Sequence, residues 1–194
     1  MNENIPLESA VLPKSKKRVF LENVLYIASA VVLALLVQKF LIRPFVVNGA
    51  SMDPTLSTGD YLIIDELSYK IGEPERGDVV VFRAPPEPDK FFIKRIIALP
   101  GETVSIKGST VTITNKQNPK GFTLSEPFIT HESSNNLVVE VPENEYFVMG
   151  DNRAGSFDSR SWGTLPKENL RGRALFRLLP IKELDYLPGK INYE

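Results

Sequence analysis

The sequence has no cysteine and only one histidine among its 194 residues. The absence of cysteine excludes disulfides, thiolate metal sites and a cysteine nucleophile. The histidine, His131, lies in the polar segment ITHESSNN. Because zinc sites usually need several nitrogen or sulfur ligands, we expect no zinc site, and we predict neither a metal nor another cofactor.

The sequence also has no excess of either charge. Its 23 lysines and arginines against 24 aspartates and glutamates give a formal net charge of −1. A chain with this balance lacks the broad basic surface that binds nucleic acid, so no nucleic-acid partner is predicted. Its length allows one domain of ordinary size, or a compact domain with an insertion and an anchor.

Near the N-terminus, a basic cluster at residues 14–18 precedes an apolar run, in which residues 24–37 carry no charge. This run is shorter than the roughly 20 residues of a membrane span, but it reaches that length if Glu22 or Lys39 extends toward the headgroups. A single uncleaved anchor at 21–43, ended by Pro44, is favoured. A cleavable signal peptide and a buried amphipathic helix remain open. The positive-inside rule puts a basic tail, residues 1–20, in the cytoplasm and residues 44–194 across the membrane.

Residues 44–194 contain short β-type runs separated by glycine, proline, asparagine and aspartate, with no long helical period. The pattern predicts a mainly β fold, an antiparallel β-barrel or sandwich. The more polar segment at about 105–140 indicates a small inserted β subdomain, and residues 182–194 indicate a solvated tail. We predict strands at 45–48, 61–66, 78–83, 91–98, 103–106, 110–114, 137–141, 146–149 and 175–179.

A serine with two possible roles, Ser51, lies in the stretch NGASMDPTL just after the apolar run. A serine beside a proline-containing turn often closes the turn through its hydroxyl group. The alternative is a nucleophile close to a membrane. A Ser-His-Asp triad is not favoured, because His131 lies in the least structured part of the chain. The base that remains is a lysine desolvated enough to lose its proton near neutral pH.

The stretch FFIKRIIALPG contains such a lysine, Lys94. If this stretch is a strand, Lys94 shares one face with Phe92, Ile96 and Ala98. Burial on that face would lower the pKa of Lys94, as a general base requires. The alternative is a lysine that protects the edge of a sheet from pairing with other chains.

Several motifs, taken in order along the chain, resemble the conserved boxes of type I signal peptidases. The resemblance extends from the apolar run to about Gly163 and is specific because the motifs are separate and in the right order. The motifs are Ser51-Met52-Asp53-Pro54-Thr55-Leu56, Gly59-Asp60-Tyr61, Arg76-Gly77-Asp78-Val79-Val80-Val81-Phe82, Lys94-Arg95 with Pro100-Gly101-Glu102, and Gly150-Asp151-Asn152-Arg153 with Ser156, Asp158, Ser159, Arg160 and Gly163.

The resemblance implies a serine endopeptidase with a Ser/Lys dyad. Ser51 would attack the scissile carbonyl, and Lys94 would take the proton of its hydroxyl. The hydroxyl that orients the lysine falls on Ser156. The oxyanion would meet the N–H of Ser51 and a donor two positions earlier. Since Gly49 stands there, the second donor must be a backbone N–H or a water molecule.

The resemblance also implies ion pairs of Arg95 with Asp151 and of Asp158 with Arg160, which would secure the geometry of the site. One departure from the family is Ala154-Gly155, where many relatives have acidic or amide residues. The contacts of that loop are therefore open.

The substrates implied are exported preproteins with N-terminal signal peptides and small residues at the first and third positions before the cut. The lipid bilayer is a further partner, and the protein translocation machinery is another candidate. Shallow apolar pockets would bind alternate side chains of an extended peptide laid against a strand. Strand alternation suggests as pocket residues Phe45, Val47, Leu62, Ile64, Ile96 and Ala98.

Two other functions remain open. SOS-type repressors cleave themselves with a similar dyad, but they need an N-terminal DNA-binding unit where this chain is apolar. The other alternative is a non-catalytic anchored β module that binds exported chains.

Overall fold

The computed structural model describes residues 15–40, 42–130 and 134–193. His131 lies outside these ranges. The chain divides into two units, Met1–Lys39 and Phe40–Glu194.

The described part of the first unit forms one long helix, α1 (Lys16–Phe40), whose last residue belongs to the second unit. Its side chains are exposed from Lys16 to Leu33, although most of them are apolar. Within the described part of the chain, no helix has both the length and the apolar character that a membrane span requires.

The boundary that we predicted for the anchor differs from the structure. Residues 42 and 43 belong to a strand rather than to the helix, and Pro44 lies inside that strand. The reason is pairing: residues 42–46 run antiparallel to residues 61–65, so the chain is already extended before the proline.

The second unit is built from short strands, and the prediction of a mainly β, antiparallel fold is confirmed. The described strands are β1 (Ile42–Val46), β2 (Tyr61–Asp65), β3 (Val79–Ala84), β4 (Glu87–Ala98), β5 (Thr103–Gly108), β6 (Thr110–Thr114), β7 (Phe122–Thr123), β8 (Asn135–Glu140), β9 (Glu145–Met149), β10 (Leu165–Pro166), β11 (Leu170–Leu179) and β12 (Asp185–Tyr186). Two short helices, α2 (Ser68–Ile71) and α3 (Ser159–Trp162), were not predicted, because four residues are too few for a helical period to be recognised.

The strands form two antiparallel sheets. The first has the order β1-β2-β11-β3-β4-β9-β10, with β12 paired to β11. The second has the order β7-β6-β5-β8 and is drawn from residues 103–140.

The centre of the first sheet is buried on both faces. On β3, Val79 and Val81 pack into one core cluster, while Val80 and Phe82 pack into another. Strand β4 has a neighbour on each side, β3 and β9. Any side chain in the second half of β4 is therefore held inside the protein.

The C-terminal segment is not the solvated tail that we predicted. We call residues 187–193 the C-terminal strap. Pro188 is buried, and the carbonyl oxygen of Gly189 accepts a hydrogen bond from the buried guanidinium of Arg95. The phenol of Tyr193 donates to Glu126 at 3.3 Å, and its ring packs against the core of the second sheet. These contacts join residues distant in sequence, so the local pattern of the strap could not indicate them.

Gly189→Ala is expected to destabilise the second unit by more than Gly108→Ala. Both glycines have positive φ, at +74° and +62°, so both substitutions introduce backbone strain. At Gly189 the new Cβ would also lie 2.3 Å from Cγ2 of Thr55, whereas at Gly108 no atom lies within 4 Å. Urea unfolding followed by the fluorescence of Trp162, the only tryptophan, measures the difference. Equal midpoints for the two variants would contradict a tightly packed strap.

Candidate active site

Ser51 lies in the connection between β1 and β2, and two apolar side chains fix this connection to the core. Met52 and Leu56 are fully buried, and the N–H of Leu56 donates to the carbonyl of Met52 at 3.0 Å. Ser51 itself is partly exposed. The turn is therefore anchored from below while the serine faces outward.

Lys94 lies on β4 opposite this turn and is only 4% exposed. Its Nζ is 2.7 Å from Oγ of Ser51 and 2.9 Å from the carbonyl oxygen of Ile93, to which it donates. The ring of Phe92 lies beneath the amine, with its centroid 5.3 Å from Nζ. Because β4 is an interior strand, the alternative of an edge lysine is not supported.

Burial lowers the pKa of Lys94 from its ordinary value of 10.5 to about 8. The carboxylates of Asp158 and Asp151 act in the opposite direction, and the guanidinium of Arg160 adds to the lowering. An amine with this pKa is neutral in a substantial fraction of molecules at mildly alkaline pH.

The residue after Lys94 forms a buried ion pair. The guanidinium of Arg95 donates from Nε and Nη2 to the two carboxylate oxygens of Asp151, at 2.8 and 2.5 Å, and both side chains are fully buried. The hydroxyl of Thr55 donates to the same carboxylate. Asp151 thus joins the strand of the lysine to the turn of the serine.

The second expected ion pair is also present. Arg160 donates to Asp158 from both Nε and Nη2, at 2.8 Å each. Asp158 also accepts from the N–H of Gly150 at 3.0 Å, and it caps α3 by accepting from the N–H of Arg160. This carboxylate therefore fixes both ends of the loop between β9 and α3.

Ser156 lies on that loop with a buried hydroxyl. Among the described residues, its Oγ has no hydrogen-bond partner. It packs against Gly150, where an added Cβ would lie 2.3 Å from Oγ of Ser156 and 2.3 Å from the carbonyl oxygen of Ser51. Residue 150 must therefore lack a side chain, because Oγ of Ser156 and the carbonyl oxygen of Ser51 occupy the space that a Cβ would take.

Gly49 does not offer the free N–H that an oxyanion donor needs, because this group already donates to the hydroxyl of Thr58 at 3.0 Å. Within the described ranges, the N–H groups of Ala50 and Ser51 donate no hydrogen bond. The backbone N–H groups that are available at this turn as oxyanion donors are thus those of Ala50 and Ser51.

Asn152 connects the two halves of the site, and sequence reasoning assigned it no role. Its side-chain amide donates to the carbonyl oxygen of Ala50 at 3.0 Å, and its backbone N–H donates to that of Ser51 at 3.1 Å. The amide oxygen accepts from the N–H of Gly155 at 3.0 Å. Thr55 and Thr58 were also missed. All three lie within or beside the quoted motifs, which was the available signal.

A groove of about 580 Å³ opens beside Ser51 and Lys94. Of the six predicted pocket residues, Phe45 lines it, together with Phe91, Phe92, Ile93 and Phe157. The other five, Val47, Leu62, Ile64, Ile96 and Ala98, are at most 2% exposed and do not line the groove.

Two physical reasons account for these five. Val47, Leu62 and Ile64 pack beneath the groove, against Met52 and Ile93. The face of Ile96 is covered by residues of β9 and β10, and an irregularity between Ile96 and Ala98 moves Ala98 into a different core cluster.

In the described ranges, no cluster of three or more histidine and carboxylate side chains could hold a metal ion. The groups that the structure brings together are a hydroxyl, a buried amine and unpaired backbone donors. This combination suits acyl transfer with serine as nucleophile and lysine as base.

Residues 20–179 match the family model described as signal peptidase, peptidase S26. A probable signal peptidase I-1 of Synechocystis sp. is 41% identical over 167 residues, which is 82% of each chain. A probable signal peptidase I-2 of the same organism is 36% identical and covers 100% of this chain and 89% of its own.

The crystal structure of a signal peptidase I from Enterococcus faecalis V583 has 31% sequence identity and a TM-score of 0.45, over 53% of this chain and 97% of that one. The sequence matches cover most of the chain, and they show that it belongs to the signal peptidase family, peptidase S26.

Proposed function

We propose that this protein is a serine endopeptidase that removes N-terminal signal peptides from exported preproteins, cutting after small residues. The observation that carries the proposal is the distance of 2.7 Å between Oγ of Ser51 and the buried Nζ of Lys94. The family and the names of the relatives supply the substrate class.

In the proposed reaction, the neutral amine of Lys94 accepts the proton of Ser51 as Oγ attacks the scissile carbonyl carbon. The carbonyl π bond breaks, and its electrons move to the oxygen, which becomes the oxyanion. Lys94 then gives the proton to the leaving amine as the peptide bond breaks, which leaves an acyl-enzyme. Lys94 then deprotonates a water molecule, whose oxygen adds to the acyl carbon. The bond from this carbon to Oγ of Ser51 breaks, the signal peptide leaves with a new carboxyl group, and Lys94 returns the proton to Oγ.

The neutral amine of Lys94 has a lone pair and two N–H groups. In the proposed active form, the lone pair accepts from the hydroxyl of Ser51, whose Oγ is 2.7 Å from Nζ, and one N–H donates to the carbonyl of Ile93. The other N–H makes no hydrogen bond to Ser156 in the structure, and the buried Oγ of Ser156 has no partner among the described residues, so the pairing of these two groups is part of the proposal. We therefore retain Ser156 as the residue that orients the lysine, with the two arginine–carboxylate pairs as supporting contacts.

The groove beside Ser51 supports the binding of an apolar peptide segment at the cut. Its lining includes the rings of Phe45 and Phe92 and the side chain of Ile93. Strand β1 lies at the end of its sheet, so an extended peptide could lie along it and present alternate side chains to the groove.

Cleavage of a model preprotein by the detergent-solubilised full chain tests the proposal. The preprotein carries alanine at the first and third positions before the cut, and the N-terminus of the product is sequenced. We expect cleavage after the alanine by the wild type and none by Ser51→Ala. Equal cleavage by both, or none by a folded wild type, would contradict the proposal and favour a module that only binds exported chains.

Activity is expected to rise with pH and to reach a plateau above about pH 8, the pKa of Lys94. The neutral amine is the active form, so the fraction of active enzyme falls as pH drops below this value. The measurement is kcat/KM between pH 6 and pH 10 with a peptide that carries no titrating group. A profile that is flat through this range would exclude Lys94 as the base.

We also propose that α1 anchors the protein in a membrane, with residues 1–20 in the cytoplasm and residues 44–194 on the opposite side. The support is a helix that exposes apolar side chains on all its described faces next to a basic cluster at residues 14–18. At about 1.5 Å per residue, its 25 residues extend about 37 Å. Alkaline carbonate extraction of membranes tests the anchor: release of the full chain into the supernatant would overturn it.

A further inference from the structure

The peptide bond between Ala50 and Ser51 is fixed by hydrogen bonds to its carbonyl oxygen. It is trans, because the cis bonds of the described chain are those before Pro54 and Pro180. In a trans peptide the C=O and the N–H point in opposite directions. The carbonyl oxygen of Ala50 accepts from the amide of Asn152 at 3.0 Å and from the N–H of Asp53 at 3.2 Å. The N–H of Ser51 must therefore point away from Asn152.

The side chain that holds this carbonyl is itself fixed in position. Its oxygen accepts from the N–H of Gly155, and the backbone N–H of Asn152 donates to the carbonyl of Ser51. At residue 155 an added Cβ would lie 2.8 Å from Nδ2 of Asn152. Gly155 therefore allows the loop to close on the amide. The loop that contains Ala154-Gly155 therefore makes a contact through the N–H of Gly155, although many relatives have acidic or amide residues there.

The groove borders this peptide. The groove is lined by Asn48, Gly49, Ala50 and Ser51, and the N–H of Ser51 meets no acceptor in the described part of the chain. A donor left unpaired beside a nucleophile is suited to receive the charge that develops on the carbonyl oxygen.

We propose that Asn152 is a positioning residue for the oxyanion: it fixes the Ala50–Ser51 peptide so that the N–H of Ser51 points into the groove before substrate binds. The inference rests on the proposed function, because it concerns the transition state of that reaction. Asn152 does not touch the reacting atoms. It acts through the orientation of a single donor, and preorganised donors of this kind have large effects on kcat.

The test compares Asn152→Ala with Asn169→Ala. Asn169 is a matched control, because it is also partly buried and its amide also donates to a backbone carbonyl, that of Arg83, at 3.2 Å. Three quantities are measured on the full chain in detergent: kcat/KM, the inhibition constant of a peptide aldehyde, and the dissociation constant of a non-cleavable peptide of the same sequence. The aldehyde is informative because Oγ of Ser51 adds to its carbonyl carbon, and the carbonyl oxygen then occupies the oxyanion position.

For Asn152→Ala we expect kcat/KM and aldehyde affinity to fall together, by roughly 10- to 100-fold. Binding of the non-cleavable peptide and the midpoint of the pH profile should not change, and Asn169→Ala should behave as wild type. Unchanged catalysis would overturn the inference. So would an equal loss of affinity for both ligands, or a shifted pH midpoint, since either would indicate general disorder of the site around Lys94.

Two further comparisons keep the outcomes distinct. If Asn152→Ala does not fold, as judged by Trp162 fluorescence, Asn152→Ser replaces it, because its shorter hydroxyl cannot span the distance to the carbonyl of Ala50. If the folded wild type neither cleaves nor binds the aldehyde through Ser51, the proposed function itself fails. If the wild type is active and the Asn152 variants match it, the inference alone fails.

Discussion

Lys94→Met is expected to abolish peptidase activity and, at neutral pH, to make the protein more stable. The activity is lost because no other base lies within hydrogen-bond distance of Oγ of Ser51 among the described residues. Removing one member of a nucleophile–base pair lowers kcat by about 10⁴-fold or more. Methionine keeps most of the length and volume of the lysine but carries no charge.

The gain in stability follows from the direction of the pKa shift. Burial lowers the pKa of Lys94 in the folded protein to about 8, against 10.5 when it is exposed. Between these two values the unfolded chain binds more protons, so the free energy of unfolding rises with pH in this window. Below about pH 8 the folded protein bears the full cost of a buried ammonium group, on the order of 3 kcal/mol.

The measurement is urea unfolding at pH 7 and pH 10, with Trp162 fluorescence as the signal. The advantage of Lys94→Met should be largest at pH 7 and should shrink at pH 10, where the wild-type amine is neutral. Lys107→Met is the control, because Lys107 is exposed on β5. A Lys94→Met variant that cleaves at the wild-type rate would contradict the dyad. A variant less stable than wild type at pH 7 would contradict the cost of burial.

Arg95→Met is expected to cost about 3–5 kcal/mol of stability and most of the activity. It leaves the carboxylate of Asp151 buried without its cation, and an uncompensated buried charge is strongly destabilising. The carboxylate also holds Thr55 in the turn of Ser51, and Arg95 is next to Lys94. The distance between the serine and the lysine therefore depends on this pair.

The double variant Arg95→Met/Asp151→Leu separates the stability lost by removing the whole ion pair from the stability lost by leaving one buried charge unpaired. Because it removes both charges, it should be more stable than the sum of the single losses predicts. Lys167→Met is a matched control that breaks an ion pair with the exposed Glu73, and it should change stability by no more than about 1 kcal/mol. Equal losses in the free energy of unfolding for Arg95→Met and Lys167→Met would show that burial does not raise the cost of breaking the pair of Arg95 with Asp151.

Local sequence predicted the features of the site that depend on alternation and on motif order. The run FFIKRIIA places Lys94 between Phe92 and Ile96 on one face, and the structure buries the amine there. The pair of Arg95 with Asp151 joins two motifs of the resemblance, and the pair of Arg160 with Asp158 lies within one motif, so the partners could be named in advance.

What local sequence could not supply is contact between distant segments. The irregularity of β4 before Ala98 depends on its pairing with β9, and the burial of Ile96 depends on strands more than 45 residues later in the chain. Gly49 was considered for its place two residues before Ser51, but the hydroxyl of Thr58 reaches its N–H only because β1 and β2 fold back on each other.

The position of the C-terminal strap determines when, during synthesis, the contacts of Arg95 become complete. Arg95 is fully buried, and its guanidinium has Gly77 and Gly189 among its acceptors. A ribosome that has just completed Tyr186 has made both members of the dyad, both ion pairs and the described strands, but not the strap, whose Gly189 carbonyl accepts from Arg95. We therefore expect a chain arrested there to contain every proposed catalytic residue and yet to be inactive. Activity would then depend on the docking of residues 187–193 as well as on the dyad.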